Sequence, residues 1–187
     1  MNQTAQQSPE SNQNPEEEAL PTAPETLLER LDTLGISYDL THHKAVYTVE
    51  ESREVDAQIP GVHCRNLFLR DKKKKMYLVV LPVDCEVDMK KLQPVIGSDR
   101  LSFGSSDRLW TYLGVRPGSV CPFSIINDTD NVVQVILEQS MMQADRVNYH
   151  PLLNTMTVGL SPEGLLTFLR DCDHEPKILD LSAAQPE

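Results

Sequence analysis

The chain has 187 residues, of which 40% are hydrophobic, and this is enough for one soluble domain with a packed core. Its 28 acidic residues exceed its 17 Lys and Arg residues, so the formal net charge is -11. The sequence has no apolar run of about 18 residues and no secretory signal at its start, so we expect a cytoplasmic protein without a membrane partner.

The two ends are predicted to be tails around one folded domain. Residues 1–22 consist mainly of Gln, Asn, Glu and Pro, a composition typical of disorder. We therefore expect a folded domain at 23–171 and a flexible C-terminal tail at 172–187. Because most of the excess acid lies at the two ends, the domain itself is nearly neutral, and a local cluster of bases can dominate its surface potential.

Hydrophobic periodicity and helix caps predict a mixed order of helices and strands. Thr48 and Glu51 form a capping box, and Gly35 ends the first helix. In chain order we predict a helix at 26–34, a strand at 36–41, a helix at 49–56, strands at 66–70 and 76–81, a helix at 89–96, a strand at 100–103, a helix at 107–113, strands at 123–127 and 132–137, a helical turn at 140–145, a last strand at 155–160 and a helix at 163–171. This order predicts a single α/β domain with a curved mixed β-sheet and flanking helices.

The predicted hairpin at 66–81 concentrates positive charge. Six of the 17 Lys and Arg residues lie between Arg65 and Lys75. In a strand Asn66, Phe68 and Arg70 share one face, while the two leucines between them face the core. Four bases continue around the turn, namely Lys72, Lys73, Lys74 and Lys75. Such a row suits phosphate groups, although the same lysines also fit an ordinary solvated turn.

Two loops offer further polar candidates. The loop 114–123 is rich in Gly and Pro, so its backbone amides can approach a ligand closely, although it also fits an ordinary connection. His150 stands in a turn before the strand at 155–160. Its ring can position a ribose or a water there, and an ordinary loop histidine is the alternative.

The residues favour a protein without a metal, a cofactor or a protein nucleophile. The four cysteines lie far apart and none has metal-ligand spacing, which favours free thiols. GxSxG, a Walker loop and a paired carboxylate motif are absent. Cys64 is next to Arg65, but neighbouring strand residues point to opposite faces, so we predict that Cys64 is not a nucleophile.

Four segments taken together resemble the prolyl-tRNA editing proteins of the YbaK/ProX superfamily of aminoacyl-tRNA deacylases. They are HCRNLFLRDKKKKMYLVVLP, LSFGS, LGVRPGSVCPFSIINDTDN and HPLLNTMTVGLS, in matching order and spacing. HKAVYTVEE at 43–51 fits more loosely, and the resemblance spans about 27–169. It implies a deacylase that acts in trans on an amino acid wrongly attached to proline tRNA, with alanine as the expected amino acid.

The resemblance also implies roles for single residues. Arg65 stands where the superfamily has an important lysine, and because a guanidinium stays charged it can act only by charge or position. Catalysis is expected to involve Arg65, Gly118 and His150. The tRNA is expected to contact Arg65, Asn66, Arg70, Lys72, Lys73, Lys74 and Lys75. The amino-acid pocket is expected to comprise Pro117, Gly118, Ser119, Val120, Phe123 and Asn154.

The implied partner is the acceptor end of tRNA(Pro), with prolyl-tRNA synthetase as a second candidate and without DNA. The ester is already activated, so the chemistry needs a placed water and stabilisation of the developing oxyanion. Two alternatives stay open. In the first, the deacylase removes cysteine or serine instead of alanine. In the second, the chain is a noncatalytic module that binds tRNA or the synthetase, and the arginine at position 65 favours this second alternative.

Overall fold

The computed structural model describes residues 19–186, so the predicted N-terminal tail lies largely outside the described residues. The α-helices are α1 (Pro24–Thr33), α2 (Val49–Asp56), α3 (Met89–Ile96), α4 (Ser106–Leu113) and α5 (Pro162–Asp171). The strands are β1 (Tyr38–His42), β2 (Val62–Asp71), β3 (Met76–Pro82), β4 (Leu101–Phe103), β5 (Val133–Glu138), β6 (Val147–Tyr149), β7 (Met156–Leu160) and β8 (Lys177–Leu179). Short 3₁₀ helices span Pro122–Asn127, Gln139–Gln143 and Ser182–Ala184. Within this part of the chain no helix has both the length and the apolar character needed to cross a membrane.

The eight strands form one mixed sheet in the order β1-β7-β6-β2-β3-β5-β8, with β4 paired to β2. The pairs β1–β7, β6–β7, β2–β3 and β2–β4 are antiparallel, and β2–β6, β3–β5 and β5–β8 are parallel. The long strand β2 joins both halves of the sheet, because its first residues pair with β6 and the rest with β3 and β4. This arrangement confirms the predicted α/β class with a mixed sheet and flanking helices.

Apolar layers cover both faces of the sheet. One layer contains Phe68 and Leu78 together with α1, α4 and α5, and the other contains Leu69 and Val79 together with α3. The expectation that β2 has only one core face is therefore wrong, because Phe68 is 5% exposed. Helices pack on both faces, so the aromatic ring between Asn66 and Arg70 belongs to the core.

The predicted helix boundaries are confirmed by their caps. In α2 the Thr48 side chain accepts a hydrogen bond from the Glu51 backbone nitrogen at 3.1 Å. The Glu51 carboxylate in turn accepts one from the Thr48 backbone nitrogen at 3.2 Å. In α5 the Ser161 hydroxyl accepts from the Gly164 nitrogen at 3.0 Å. A capped start satisfies backbone donors that a helix leaves unpaired, so these short sequence signals place the helices correctly.

The strand predicted at 123–127 is wrong, because these residues lie in the 3₁₀ helix Pro122–Asn127. Pro122 stands in its first turn, where a proline needs no hydrogen-bonded nitrogen. Phe123 packs edge-to-face against Tyr149 and Phe168, with ring centroids 5.9 and 5.4 Å away. A short apolar run is compatible with either a buried strand or a buried helical turn. Here the packing of the Phe123 ring favours the helical turn.

The prediction that the strand at 155–160 is the last one is also wrong. β7 is not the last strand, since β8 pairs in parallel with β5, and Leu181 and Ala184 are completely buried in the second apolar layer. β8 has only three residues, too few for a periodic pattern in the sequence, so it is recognised only by its pairing with β5. At the other end, Leu20 packs on the first apolar layer and the Thr22 hydroxyl donates to the Asn127 side chain at 2.6 Å, so the described residues just before 23 contact the domain.

Candidate functional site

A small cavity of about 50 Å³ lies between α2 and the strands β2, β6 and β7. It is lined by Ser52, Asp56, His63, Cys64, Asn66, Val83, Asn148, Tyr149, His150 and Thr157. The volume is well below the roughly 300 Å³ of a typical small-molecule site and leaves room only for a few waters. The cavity is therefore closed against a ligand as large as an aminoacyl-adenosine.

The polar wall of the cavity comes from strand alternation. β7 directs Met156, Val158 and Leu160 toward apolar surroundings, and Thr157 between the first two lies on the cavity side. In β6 the same rule places Asn148 at the cavity, where its side-chain amide donates to the Pro60 carbonyl at 3.0 Å. Asn148 and Thr157 are buried polar residues that the sequence reasoning missed. The available signal was a single polar residue inside each short apolar strand.

His150 lines the cavity with a defined tautomer. Its Nδ1 lies 2.8 Å from the Met156 carbonyl oxygen, which can only accept, so Nδ1 carries a hydrogen. Its Nε2 has no hydrogen-bond partner within residues 19–186. Burial lowers the pKa of His150, and the nearby His43, with its ring centroid 5.8 Å away, lowers it further. His150 is therefore a neutral imidazole with a free lone pair at neutral pH.

The remaining histidines of this region are also held by hydrogen bonds. His43 contacts the Thr157 hydroxyl through Nε2 at 3.0 Å. His63 contacts the Ile59 carbonyl oxygen through Nε2 at 2.8 Å and the Asp56 carboxylate through Nδ1 at 3.0 Å. Two of the five histidines of the chain thus line the cavity, and His43 contacts a third lining residue, Thr157. Nevertheless, no group of three or more His, Cys, Asp or Glu residues in the described part of the chain is arranged to hold a metal ion.

Asn66 and Arg65 lie next to each other on β2 but differ in position. Asn66 lines the cavity, and its Oδ1 is buried without a hydrogen-bond partner in the described chain. The Arg65 guanidinium instead donates to the Cys85 carbonyl oxygen at 2.7 Å, beside the second apolar layer, and Arg65 does not line the cavity. Strand alternation thus separates two residues that the sequence placed at one site.

Cys64 lines the cavity but has the properties of a structural thiol. Burial raises its pKa to about 12, so at neutral pH it is protonated and a poor nucleophile. Its sulfur lies 3.7 Å from the Met141 sulfur. The geometry agrees with the prediction that Cys64 is not a nucleophile, and that prediction still needs a kinetic test.

The loop 114–123 is placed beside the cavity region but does not line the cavity. Gly118 has a φ of +89°, a conformation that favours glycine, and its Cα faces Asn154. The Asn154 side chain donates to the Val46 carbonyl oxygen at 2.9 Å, which joins this corner to the segment before α2. Pro117 is exposed in a separate depression, Ser119 is buried, Val120 packs on the first apolar layer and Phe123 is inside it. The pocket role of these residues stays a prediction.

The lysine turn lies at the far end of β2 from the cavity. Asp71 is five residues beyond Asn66, which is roughly 17 Å in an extended strand. The buried Asp71 carboxylate accepts from the Lys75 backbone nitrogen at 2.9 Å and from the Tyr77 hydroxyl at 3.2 Å, and so orders the turn. Lys72 to Lys75 are all exposed, and Lys73 forms an ion pair with Asp99 at 2.9 Å. The structure therefore separates the basic turn from the cavity.

Comparison with known proteins gives one consistent result. Residues 43–168 match the family model described as the aminoacyl-tRNA editing domain. The chain is 39% identical over 160 residues to the prolyl-tRNA editing protein ProX of Acetoanaerobium sticklandii, covering 85% of this chain and 98% of that protein. It is 36% identical to the prolyl-tRNA synthetase associated domain-containing protein 1 of Bos taurus, covering 82% and 92% of the two chains.

A solved structure of a proposed trans-editing enzyme for prolyl-tRNA synthetase has the same fold. Its TM-score is 0.64 at 15% identity, and the match covers 85% of this chain and 98% of the other. At this identity the likeness extends to the fold alone.

Proposed function

Because the chain belongs to the family of aminoacyl-tRNA editing domains, we propose that it is a trans-acting deacylase for tRNA(Pro) mischarged with alanine. The observation that carries the proposal is the cavity, where a neutral His150 and the unpartnered Oδ1 of Asn66 lie together. His150 can accept a proton from water, and the Asn66 oxygen can accept a hydrogen bond from the substrate. Ester hydrolysis by water needs both a proton acceptor and groups that hold the substrate.

The proposed reaction begins with a water molecule hydrogen-bonded to the free Nε2 of His150. The water oxygen attacks the ester carbonyl carbon while Nε2 takes a proton, and the resulting imidazolium can return the proton to the leaving ribose oxygen. The products are the free amino acid and the uncharged tRNA end. The Asn66 carboxamide is placed to accept from the substrate ammonium group or a ribose hydroxyl, which would satisfy its orphaned oxygen.

Arg65 receives a supporting role in this proposal. Its guanidinium ties the start of β2 to the loop after β3 through the Cys85 carbonyl, and no proton transfer is required of it. The arginine in place of a lysine is then compatible with activity.

Selectivity for alanine is supported by the small size of the cavity. A single site distinguishes two side chains that differ by a methylene by only about 1–3 kcal/mol of binding free energy. A second, smaller site that admits alanine but not the proline ring therefore adds discrimination. Cysteine and serine have similar sizes to alanine and remain the alternative substrates.

The RNA contacts are proposed to be divided between two places. The terminal adenosine would enter beside Asn66, while the lysine turn roughly 17 Å away would contact phosphates further along the acceptor end. Such separation lets the turn supply charge without entering the catalytic cavity.

The test is deacylation of Ala-tRNA(Pro), Cys-tRNA(Pro), Ser-tRNA(Pro) and Pro-tRNA(Pro) by the wild type and by His150→Ala. We expect rapid hydrolysis of the alanyl ester, little of the prolyl ester, and a loss of about 10²–10⁴-fold in the variant, typical of removing a general base. His42→Ala is the matched control, since His42 is an exposed histidine of β1 that does not line the cavity. Binding of tRNA without hydrolysis of any ester would identify a noncatalytic module instead.

A further inference from the structure

His63 is held between two groups that can only accept hydrogen bonds. Its Nε2 is 2.8 Å from the Ile59 carbonyl oxygen, and its Nδ1 is 3.0 Å from an Asp56 carboxylate oxygen. A neutral imidazole has one N–H and would leave a lone pair facing one of these oxygens. Only the imidazolium has two N–H groups, so the geometry selects the charged form of His63.

His150 faces the opposite situation in the same cavity. It has one carbonyl partner and one unpartnered nitrogen, which the neutral ring satisfies. Burial by itself lowers the pKa of His63, but the hydrogen bonds to Asp56 and Ile59 and the charge of Asp56 raise it by more, while Arg146 opposes them. Two titratable groups of one site are thus driven toward opposite protonation states, as is common for groups with different tasks.

Asp56 belongs to α2, the element that forms the outer wall of the cavity. No described side chain of α2 is buried, so little apolar packing holds it. Polar links secure its surroundings, including the His63–Asp56 pair and the Asn148 contact to Pro60. An element with few buried contacts opens at low free-energy cost. Because the 50 Å³ cavity has no room for an adenosine, α2 can open to admit the small aminoacyl end and close over it, while the adenosine stays outside beside Asn66.

We infer that His63 is a positioning residue: as an imidazolium it holds Asp56, and with it α2, over the cavity in which His150 acts. Closure of α2 by His63 stands on the geometry alone, whereas its effect on rate rests on the proposed deacylation.

The sign of the pH dependence follows from the two histidines. His150 must be neutral, so the rate rises as the pH increases through its lowered pKa. His63 must be charged, so closure is present below its raised pKa and is lost as the pH rises through it. The charged or titratable groups facing His63 are Asp56 on α2, Arg146 before β6 and His150 after β6. The inference therefore predicts a bell-shaped profile with His63 on the alkaline side.

The experiment measures two quantities across the pH range in the full chain. One is the hydrogen-exchange protection of the α2 amides, corrected for intrinsic exchange. The other is the hydrolysis rate of Ala-tRNA(Pro), corrected for spontaneous hydrolysis. His63→Gln keeps one donor but cannot titrate, Asp56→Asn keeps an acceptor without the charge, and His42→Gln is the control.

In the wild type, α2 protection is expected to fall above the raised pKa of His63, by at most about tenfold per pH unit for the loss of one proton. His63→Gln should make protection low and independent of pH, and should remove the alkaline fall in rate. Asp56→Asn should move that fall to lower pH, since the group that raises the pKa is gone. His42→Gln should behave as the wild type.

Equal α2 protection in the wild type and His63→Gln at every pH overturns the inference, whether or not the chain hydrolyses any ester. An alkaline fall in rate that His63→Gln and Asp56→Asn both leave in place also overturns it, because the fall then belongs to the substrate amine. Closure that depends on His63 without deacylation would leave this inference standing and reject the proposed function.

Discussion

Among the polar groups that line the cavity within residues 19–186, two atoms have no hydrogen-bond partner: the Oδ1 of Asn66 and the Nε2 of His150. Others, such as Asn148 and Thr157, are satisfied by the protein itself. A buried polar atom without a partner costs about 1–3 kcal/mol, so a ligand that supplies one binds more tightly. At the residue scale, the unpaired groups mark where the substrate is expected.

Asn66 and Cys64 provide a matched pair of substitutions, since both line the cavity two residues apart on β2. Asn66→Ala should lower kcat/KM for Ala-tRNA(Pro) by roughly 10–100-fold, because a hydrogen bond to a charged group is worth about 1.5–3 kcal/mol. Cys64→Ala should retain most activity, because its thiol is protonated at neutral pH. Steady-state kinetics and a melting curve for each variant make the comparison. Complete inactivity of a well-folded Cys64→Ala that still binds tRNA would contradict attack by water.

At the scale of elements, the β2–β3 hairpin has two ends in different surroundings. Its start contributes Asn66 to the cavity, and its turn presents exposed lysines that Asp71 holds in a fixed conformation. Lys74 adopts a φ of +70° in this turn, which shows how tightly it is wound. An ordered, exposed cluster of bases on a nearly neutral domain is suited to a phosphate backbone.

The lysine turn is tested by comparing two sets of neutral substitutions. Combined Lys72→Ala, Lys74→Ala and Lys75→Ala should weaken tRNA(Pro) binding and reduce the slope of log K against log salt by about 2–3, since each lost phosphate contact contributes about 0.7–0.9. Lys73→Ala should have a smaller effect, because Lys73 already pairs with Asp99. Binding assays at several salt concentrations give the slopes, and an unchanged slope would mean that the lysines form only a solvated turn.

At the scale of the whole molecule, the C-terminal segment forms one edge of the sheet. β8 extends it beyond β5, and the Ala184 carbonyl accepts from the Asp88 nitrogen at the start of α3. Before β8, His174 is buried between the Asp128 carboxylate at 2.9 Å and the Cys172 carbonyl at 2.7 Å. Both partners accept, so His174 is an imidazolium there, and it joins the chain end to the start of β5 through Asp128.

This pair predicts a pH-dependent stability. Burial lowers the pKa of His174, but the hydrogen bonds to Asp128 and Cys172 raise it by more. The stabilisation of the folded state by this pair is therefore full below the pKa of about 6.5 that histidine has in the unfolded chain. It is lost as the pH rises through the raised pKa of the folded state. The Asp128 pKa is lowered, because its hydrogen bonds outweigh burial, so that contribution is lost only in acid. His174→Gln should cost about 3–5 kcal/mol of unfolding free energy at pH about 5.5, and less at pH about 8.5.

Urea denaturation at both pH values measures the difference. Glu175→Gln is the control, since its pair with Arg170 is exposed and should contribute at most about 1 kcal/mol. A cost for His174→Gln that is small, or that grows with pH, would contradict the assignment of a buried imidazolium.

The sequence by itself determined the features that depend on neighbouring residues. The capping box of Thr48 and Glu51, the Ser161 cap and the lysine turn are all local, so a few residues specify them and the structure agrees. The order of most helices and strands, and hence the fold class, followed from hydrophobic periodicity. The resemblance to editing proteins also rested on contiguous segments, and the family model confirmed it.

Only the tertiary structure decided which side chains meet. Asp56, His63 and Thr157 come from three separate elements and His150 follows a fourth, β6; they converge because α2 lies over β2, β6 and β7. The packing of helices on both faces buried Phe68, the contacts of Phe123 turned a predicted strand into a 3₁₀ helix, and pairing with β5 created β8. Each of these outcomes depends on contacts between residues far apart in the chain. Propensity and periodicity act over a few residues and contain no information about such contacts.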